Sequence, residues 1–345
     1  MRGRMGFVVV GAVLAAILVL LSGYRRVSVL EFKPGPLVVR MPFGSSPTSV
    51  GRAIGIDGRL YGPLTFATNG NMTVVADTYR ERLLEFSKDR MTAVATPGKM
   101  VEDLAVAPSG SVVMADNRTL SIWMLDQGKF KKIVQFQTHS GYSEALWHIG
   151  IGSPSRMFVE RVQFGHGAFA ARLDEYTLSG RFVRRLAEAQ GSRGGGLMPL
   201  ASSVISEPVR NFQVAPDGNL YIEPVGLNSL SRTIRIYRPN GLLMGEVVVR
   251  APVAIERSDL LGISRQGWIY LAVNIDVPHK ARVLIVSPEG HVIGDLHVPA
   301  VPIYAANYGR VLPSGVLYLD DSTPIAYQIR IYRPTHRKVW RWGGF

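Results

Sequence analysis

Beyond residue 60 the chain consists of short stretches in which apolar and polar residues alternate. Each stretch is broken by a turn that usually contains glycine, and helical periodicity is scarce. An alternation of period two over four to eight residues, bounded by Gly, Pro, Asn and Asp, predicts half-buried β-strands joined by tight turns. Two kinds of turn recur. The first has the form Pro-polar-Gly before an apolar strand. It occurs as Asn69-Gly70-Asn71, Pro108-Ser109-Gly110, Pro216-Asp217-Gly218, Gln266-Gly267 and Pro313-Ser314-Gly315, with a weaker version at Ser153-Pro154-Ser155. The second follows about twenty residues later, at Ser87-Lys88-Asp89, Asp126-Gln127-Gly128, Ser179-Gly180, Asn240-Gly241, Glu289-Gly290 and Thr335-His336.

Between the two turns lies another apolar strand, such as 83–86, 121–125, 233–237 or 282–286. The segment Ile234-Arg235-Ile236-Tyr237-Arg238-Pro239 returns unchanged as Ile329 to Pro334, 95 residues on, which is twice a period of roughly 47. Six units with paired turns at a fixed offset imply a four-stranded antiparallel repeat. One such sheet cannot bury both faces, whereas six packed radially can, with only short edges left open. The expected fold is therefore all-β, a six-bladed β-propeller of four-stranded antiparallel blades over 59–345. A β-sandwich would have to treat the repeated turn pairs as coincidence.

The first unit carries Pro63-Leu64, Asn69-Gly70-Asn71, Val74-Val75-Ala76-Asp77-Thr78 and Arg82-Leu83-Leu84-Glu85-Phe86-Ser87. The second keeps Ala115-Asp116-Asn117, and the fourth keeps Pro216-Asp217-Gly218-Asn219-Leu220-Tyr221-Ile222. In these residues the chain resembles NHL-type and gluconolactonase-like six-bladed propellers. The resemblance spans about 60–345, grows degenerate in later units (Glu223-Pro224, Leu319-Asp320) and speaks to architecture rather than activity. Gln190 to Gly196, rich in glycine, lengthens the spacing between the third and fourth units and reads as a tolerated insertion.

The N-terminus follows another pattern. Phe7 to Gly23 is apolar without a charge, flanked by Arg2 and Arg4 on one side and Tyr24, Arg25 and Arg26 on the other. As a helix it would be about 25 Å long, enough to cross a hydrocarbon core. The poor match of Leu21-Ser22-Gly23-Tyr24 to a cleavage site favours a retained single-pass signal anchor over residues 1–26. Residues 27–58 are expected to link it to the propeller or to add ring-closing strands. The basic flanks are nearly balanced, so orientation rests on the short N-terminal tail, which favours an extracytoplasmic propeller.

Composition changes the picture in two ways. Cysteine is absent, which excludes disulfides, thiolate metal sites and a cysteine nucleophile. The net charge is +13, but the basic residues are scattered and no nucleic-acid motif is present. The charge therefore fits anionic envelope partners, not nucleic acid.

The opening residue of each inner strand should face the central channel. Counting eight residues back from the first-turn glycine reaches Glu102, Asp259 and Asn307; counting seven reaches Asp103 and Asn211, and the third unit offers His148 at a similar place. A ring of oxygen donors suits a hard cation such as Ca²⁺. Gluconolactonase-like propellers hold a divalent metal with Glu, Asn and Asp of their inner strands, so the resemblance implies Glu102, Asp259 and Asn307 as counterparts. The plainer alternative is that strand starts are polar because they line a wet channel. The seven histidines form no paired metal spacing, and there is no nucleophile elbow or phosphate loop. Two functions follow as expectations. One is a membrane-anchored, non-catalytic module that binds a protein, peptide or envelope polymer. The other is a metal-dependent hydrolase or lactonase with a central divalent cation.

Overall fold

The computed structural model describes residues 24–342 apart from 56–57, 89, 99, 138–141, 153–154, 166–167, 193–197, 200–203, 206–208, 225–229 and 276. Most of it is strand. The one helical element among the described residues is a single 3-10 turn, Thr78–Arg80. Phe7 to Gly23 lies outside the described residues, and within them no helix is long and apolar enough to cross a membrane.

Six sheets follow one another along the chain. The first holds Phe66–Thr68, Met72–Asp77, Arg82–Ser87 and Arg90–Ala95. The second holds Val101–Val106, Val112–Asp116, Ser121–Asp126 and Lys129–Gln135. The third is longer, with Ser143–Ile151, Arg156–Gly165, Ala168–Thr177, Phe182–Ser192 and the short Met198–Pro199. Val209–Val214, Leu220–Pro224, Ser231–Tyr237 and Leu243–Arg250 make the fourth, and Ser258–Ile263, Ile269–Val273, Arg282–Val286 and Val292–His297 the fifth. The sixth takes Gly309–Val311, Leu317–Asp320 and Ala326–Trp342 from the C-terminal end, and its outer strand, Tyr24–Pro42, from the N-terminal end.

The expectation of six four-stranded blades needs correction: among the described residues there are seven sheets, five of four strands, one of five and one of three. A seventh sheet of three two-residue strands is present, in which Leu60–Tyr61 pairs antiparallel with Ala53–Ile54 and parallel with Ile303–Tyr304. It arises because the segments leading into the first and sixth inner strands meet each other before they reach the ring.

The first strands of the six larger sheets touch in sequence, and Gly309–Val311 returns to Phe66–Thr68, so the ring closes around an axis. The core is accordingly divided into slabs between neighbouring sheets. Val113, Ile122, Ile149 and Val159 fill the slab between the second and third sheets, and Phe158, Leu173, Phe212 and Ile222 that between the third and fourth. Val75, Leu84, Tyr318 and Ile329 join the sixth to the first. Each sheet thus buries both faces only through its neighbours.

The recurring turn has a physical basis at Gly110. Its φ of 93° belongs to the left-handed region, which costs glycine nothing. Gly110 donates to the Ala107 carbonyl at 2.9 Å, and Ala107 N–H to the Ser111 carbonyl at 2.8 Å. The same pair of bonds recurs at Ala215–Asn219, Ser264–Trp268 and Leu312–Val316. The polar residue that ends several second strands has a repeated task as well. Asp116 accepts Met100 N–H and Asn274 accepts Glu256 N–H, each pinning the segment that leads into an inner strand, while Asp77 accepts Gly51 N–H just ahead of Ala53–Ile54.

Candidate functional site

The inner strands of the second, third and fourth sheets carry a bulge near their start, after Val101, Leu146 and Val209. One extra residue on the bulged strand moves every later side chain to the opposite face. The residues just beyond the bulges, Asp103, His148 and Asn211, thereby occupy equivalent places and pair with Ala115, Glu160 and Glu223 of the second strands. Together they form a polar collar at the upper mouth of the channel, where the inner strands begin.

Two arrangements stand out in the collar. In the first, Asp103 is 1% exposed and saturated with donors. Its Oδ1 accepts from the Asn307 amide at 2.8 Å, the Thr65 hydroxyl at 3.2 Å, Leu104 N–H at 2.8 Å and the Arg310 guanidinium at 2.5 Å. Its Oδ2 accepts from Ile149 N–H at 2.8 Å. Arg310 further donates to the carbonyls of Phe66 and Leu104, and Asn307 to the Thr65 hydroxyl.

The second arrangement is a carboxylate–imidazole pair. His148 Nδ1 lies 2.6 Å from Glu160 Oε2, with the carboxylate side chain fully buried and the imidazole 19% exposed. Burial opposes a charge on His148. The Glu160 carboxylate and its hydrogen bond outweigh that cost, Asp103 adds to the effect, and Arg310 subtracts from it, so the imidazole pKa rises to about 9. Burial also pushes Glu160 upward, against the pull of His148. The pair therefore keeps a proton at neutral pH, and among the described residues Nε2 makes no hydrogen bond, so the proton on that side is available to a ligand.

Next to this pair, Glu102 accepts a hydrogen bond from the Asn117 amide at 3.2 Å. Its carboxyl is raised by burial and by Asp103, while His148 and Asn117 pull it down. Tyr304, from the small seventh sheet, feels both Glu102 and Asp259, and also Arg257 and Arg59. Its ring lies 5.1 Å from that of Tyr61, and beside it a cavity of about 470 Å³ is lined by Arg59, Leu60, Tyr304 and Tyr308. The seventh sheet thus forms one wall of the upper mouth. A second cavity of about 500 Å³ opens at the other end of the channel, between the first turns, lined by Asn71, Gln213 and Arg265 among others.

The three residues singled out for a metal come to the same end of the channel, yet they do not form a donor set. Asn307 presents its amide nitrogen to Asp103, Asp259 is paired with Arg257 at 3.2 Å, and Glu102 accepts from Asn117. A divalent ion needs converging oxygen lone pairs. Here the nearest carboxylate, Asp103, has already spent its own on protein donors, one of them a guanidinium. The residues as arranged do not fit the cation that the resemblance implied, and among the described residues no group of three or more His, Asp or Glu is placed to hold a metal. Counting along the chain did reach Asp103, Asn211 and His148. It missed Glu160 and Arg310; the one available signal for Glu160 was an acid set inside the apolar run Met157-Phe158-Val159-Glu160-Arg161-Val162.

No protein-family model matches the chain, and no curated protein matches it in sequence. Solved structures do. The chain is similar to a streptogramin B lyase at 12% identity and a TM-score of 0.50, covering 89% of this chain and 98% of that one. It is also similar to virginiamycin B lyase from Staphylococcus aureus at 10% identity and a TM-score of 0.50, covering 88% and 99%. A gluconolactonase from Xanthomonas campestris matches at 14% identity and a TM-score of 0.47, covering 89% and 100%. At these identities the likeness shows the fold. The chain is a β-propeller.

Proposed function

We propose that the chain is an enzyme that opens an ester or lactone by acid–base chemistry at the upper mouth of the channel. The observation that carries this reading is the buried His148–Glu160 pair, which holds a proton at neutral pH next to a second carboxylate, Glu102. Ionisable groups shifted by burial and by specific partners gather where proton transfer is needed. In the reaction, Glu102 takes a proton from water as the oxygen attacks the acyl carbon. His148 gives its Nε2 proton to the departing oxygen as the C–O bond breaks, and the two groups exchange protons through solvent to restore the starting state. Two structures that share the fold are named as lyases, which is compatible with an enzyme on this scaffold through fold alone.

The alternative reading, a binding module for a protein, peptide or envelope polymer, is the weaker one. A recognition face gains nothing from a buried imidazolium whose second nitrogen is left open beside a carboxylate. Tethering to a membrane through Phe7 to Gly23, with the propeller outside the cytoplasm, belongs to the same proposal; flotation of the full chain with liposomes tests the tether.

The enzymatic test uses the full chain in detergent with a panel of aliphatic and aromatic esters and lactones, followed by pH-stat. His148→Gln is expected to lower kcat by about 100-fold or more, the usual range for a lost general acid. Turnover by the variant within about twofold of the parent, or no turnover of any panel member by the parent, overturns the reading.

A further inference from the structure

We propose that Arg310 is the resident cation of this propeller's upper mouth, so that the collar is built around a guanidinium and takes no divalent metal. Asp103 is a buried acid of the collar, and its Oδ1 receives Arg310, Asn307 and Thr65 together. Arg310 is itself nearly enclosed, with 13% of its side chain exposed. A buried carboxylate needs a positive partner or enough donors to replace water. Here the chain supplies both from within.

The geometry also uses the shape of arginine. Its planar fork reaches three acceptors at once: Nε donates to the Phe66 carbonyl at 3.0 Å, and Nη2 to Asp103 and, at 3.1 Å, to the Leu104 carbonyl. Those acceptors belong to the first and second sheets, Arg310 to the sixth and Asn307 to the segment just before it, and Asp103 Oδ2 receives Ile149 N–H of the third. One ion pair thus spans the seam where the C-terminal sheet meets the first, and joins four consecutive sheets near the axis. A metal ion coordinated by inner-strand side chains would make the same kind of connection. In this chain the connection is covalently supplied, so it does not depend on cation concentration. The inference is independent of whether His148 transfers a proton.

The decisive measurement is made on the unmodified full chain in detergent, after exchange into chelator and then into chelator-free buffer. Metal content is read by plasma mass spectrometry and thermal unfolding with and without millimolar Ca²⁺, Mg²⁺, Mn²⁺ or Zn²⁺. Expected are well under about 0.1 equivalent of any metal and no saturable rise in Tm, because a ligand that binds the folded state must raise stability by mass action. A stoichiometric metal, or a saturable rise in Tm that Asp103→Asn abolishes, overturns the proposal.

Two variants probe the arginine directly. Arg310→Met leaves Asp103 buried without its cation and is expected to lower Tm strongly or to prevent folding. The double variant Asp103→Asn with Arg310→Met removes both charges and is expected to unfold at a higher temperature than Arg310→Met alone. If Arg310→Met unfolds at the parent temperature, or the double variant is no more stable than the single one, Arg310 is not the resident cation.

Discussion

Replacing Glu160 by Gln isolates the electrostatics of the collar. The change keeps the shape of the side chain and one hydrogen-bonding oxygen, but removes the carboxylate that holds the proton on His148. In the parent the imidazole pKa stands at about 9 against an ordinary 6.5. That difference corresponds to about 3 kcal/mol of preference for the charged form in the folded protein. A folded-state pKa raised above the unfolded value means that the folded chain binds the extra proton. The resulting stability is fully present below pH 6.5 and is lost as pH rises through about 9. In Glu160→Gln, burial acts on the imidazole with only Asp103 in its favour and Arg310 against it, so the proton is released near or below the ordinary value and this pH dependence disappears. Urea unfolding from pH 6 to pH 10 reads it out. The difference between parent and variant should shrink by about 3 kcal/mol across that window, about 1 M in urea midpoint for an m-value near 3 kcal/mol/M. Parallel curves for the two proteins, or a His148 imidazole that titrates at the same pH in both by NMR, would refute the assignment of the proton to this pair.

Two further predictions concern buried charge elsewhere. Asp320 sits on the second strand of the sixth sheet, and burial, opposed by Ser322 and helped by Asp321, raises its carboxyl to about 7 from 3.8. Because the folded pKa is the higher one, stability falls as pH climbs from about 4 through 7; Asp320→Asn should exceed the parent in stability at pH 8, by about 4 kcal/mol at most, and not at pH 4. Equal pH dependence of the two proteins in urea titrations would sink that claim. In the third sheet, Arg161 bridges Glu144 at 2.9 Å and Asp174 at 2.7 Å, with its guanidinium 4.5 Å from the Phe136 ring centre. Arg161→Met strands the buried side chain of Glu144 and leaves Asp174 with Arg185 alone, and should cost roughly 3 kcal/mol in chemical denaturation; a loss under about 1 kcal/mol would show that the Arg161 bridges are solvated in solution.

The amino-acid sequence on its own determined the strands, the turns and the stacking of sheets about an axis. These are local properties: the alternation that makes a strand amphipathic, and the positive φ that places glycine at Gly110 and Gly218, are settled within a few residues of each position. The exactness of the repeat between Ile234 to Pro239 and Ile329 to Pro334 made the period visible without any knowledge of contacts. The site was only half legible. Counting eight back from the turn glycines stopped one residue short of the collar at Glu102 and counting seven reached Asp103 and Asn211, but it is a bulge that shifts the register by one, and no sequence pattern announced it. Glu160 faces His148 because of that shift, where strict alternation would have turned one of them away. Arg310 meets Asp103 across 207 positions, and the small seventh sheet joins Leu60–Tyr61 to Ile303–Tyr304. Such encounters follow from closing the ring, which brings the last inner strand against the first. Ring closure is a property of the whole chain, so tertiary structure alone decided which charge would occupy the channel mouth.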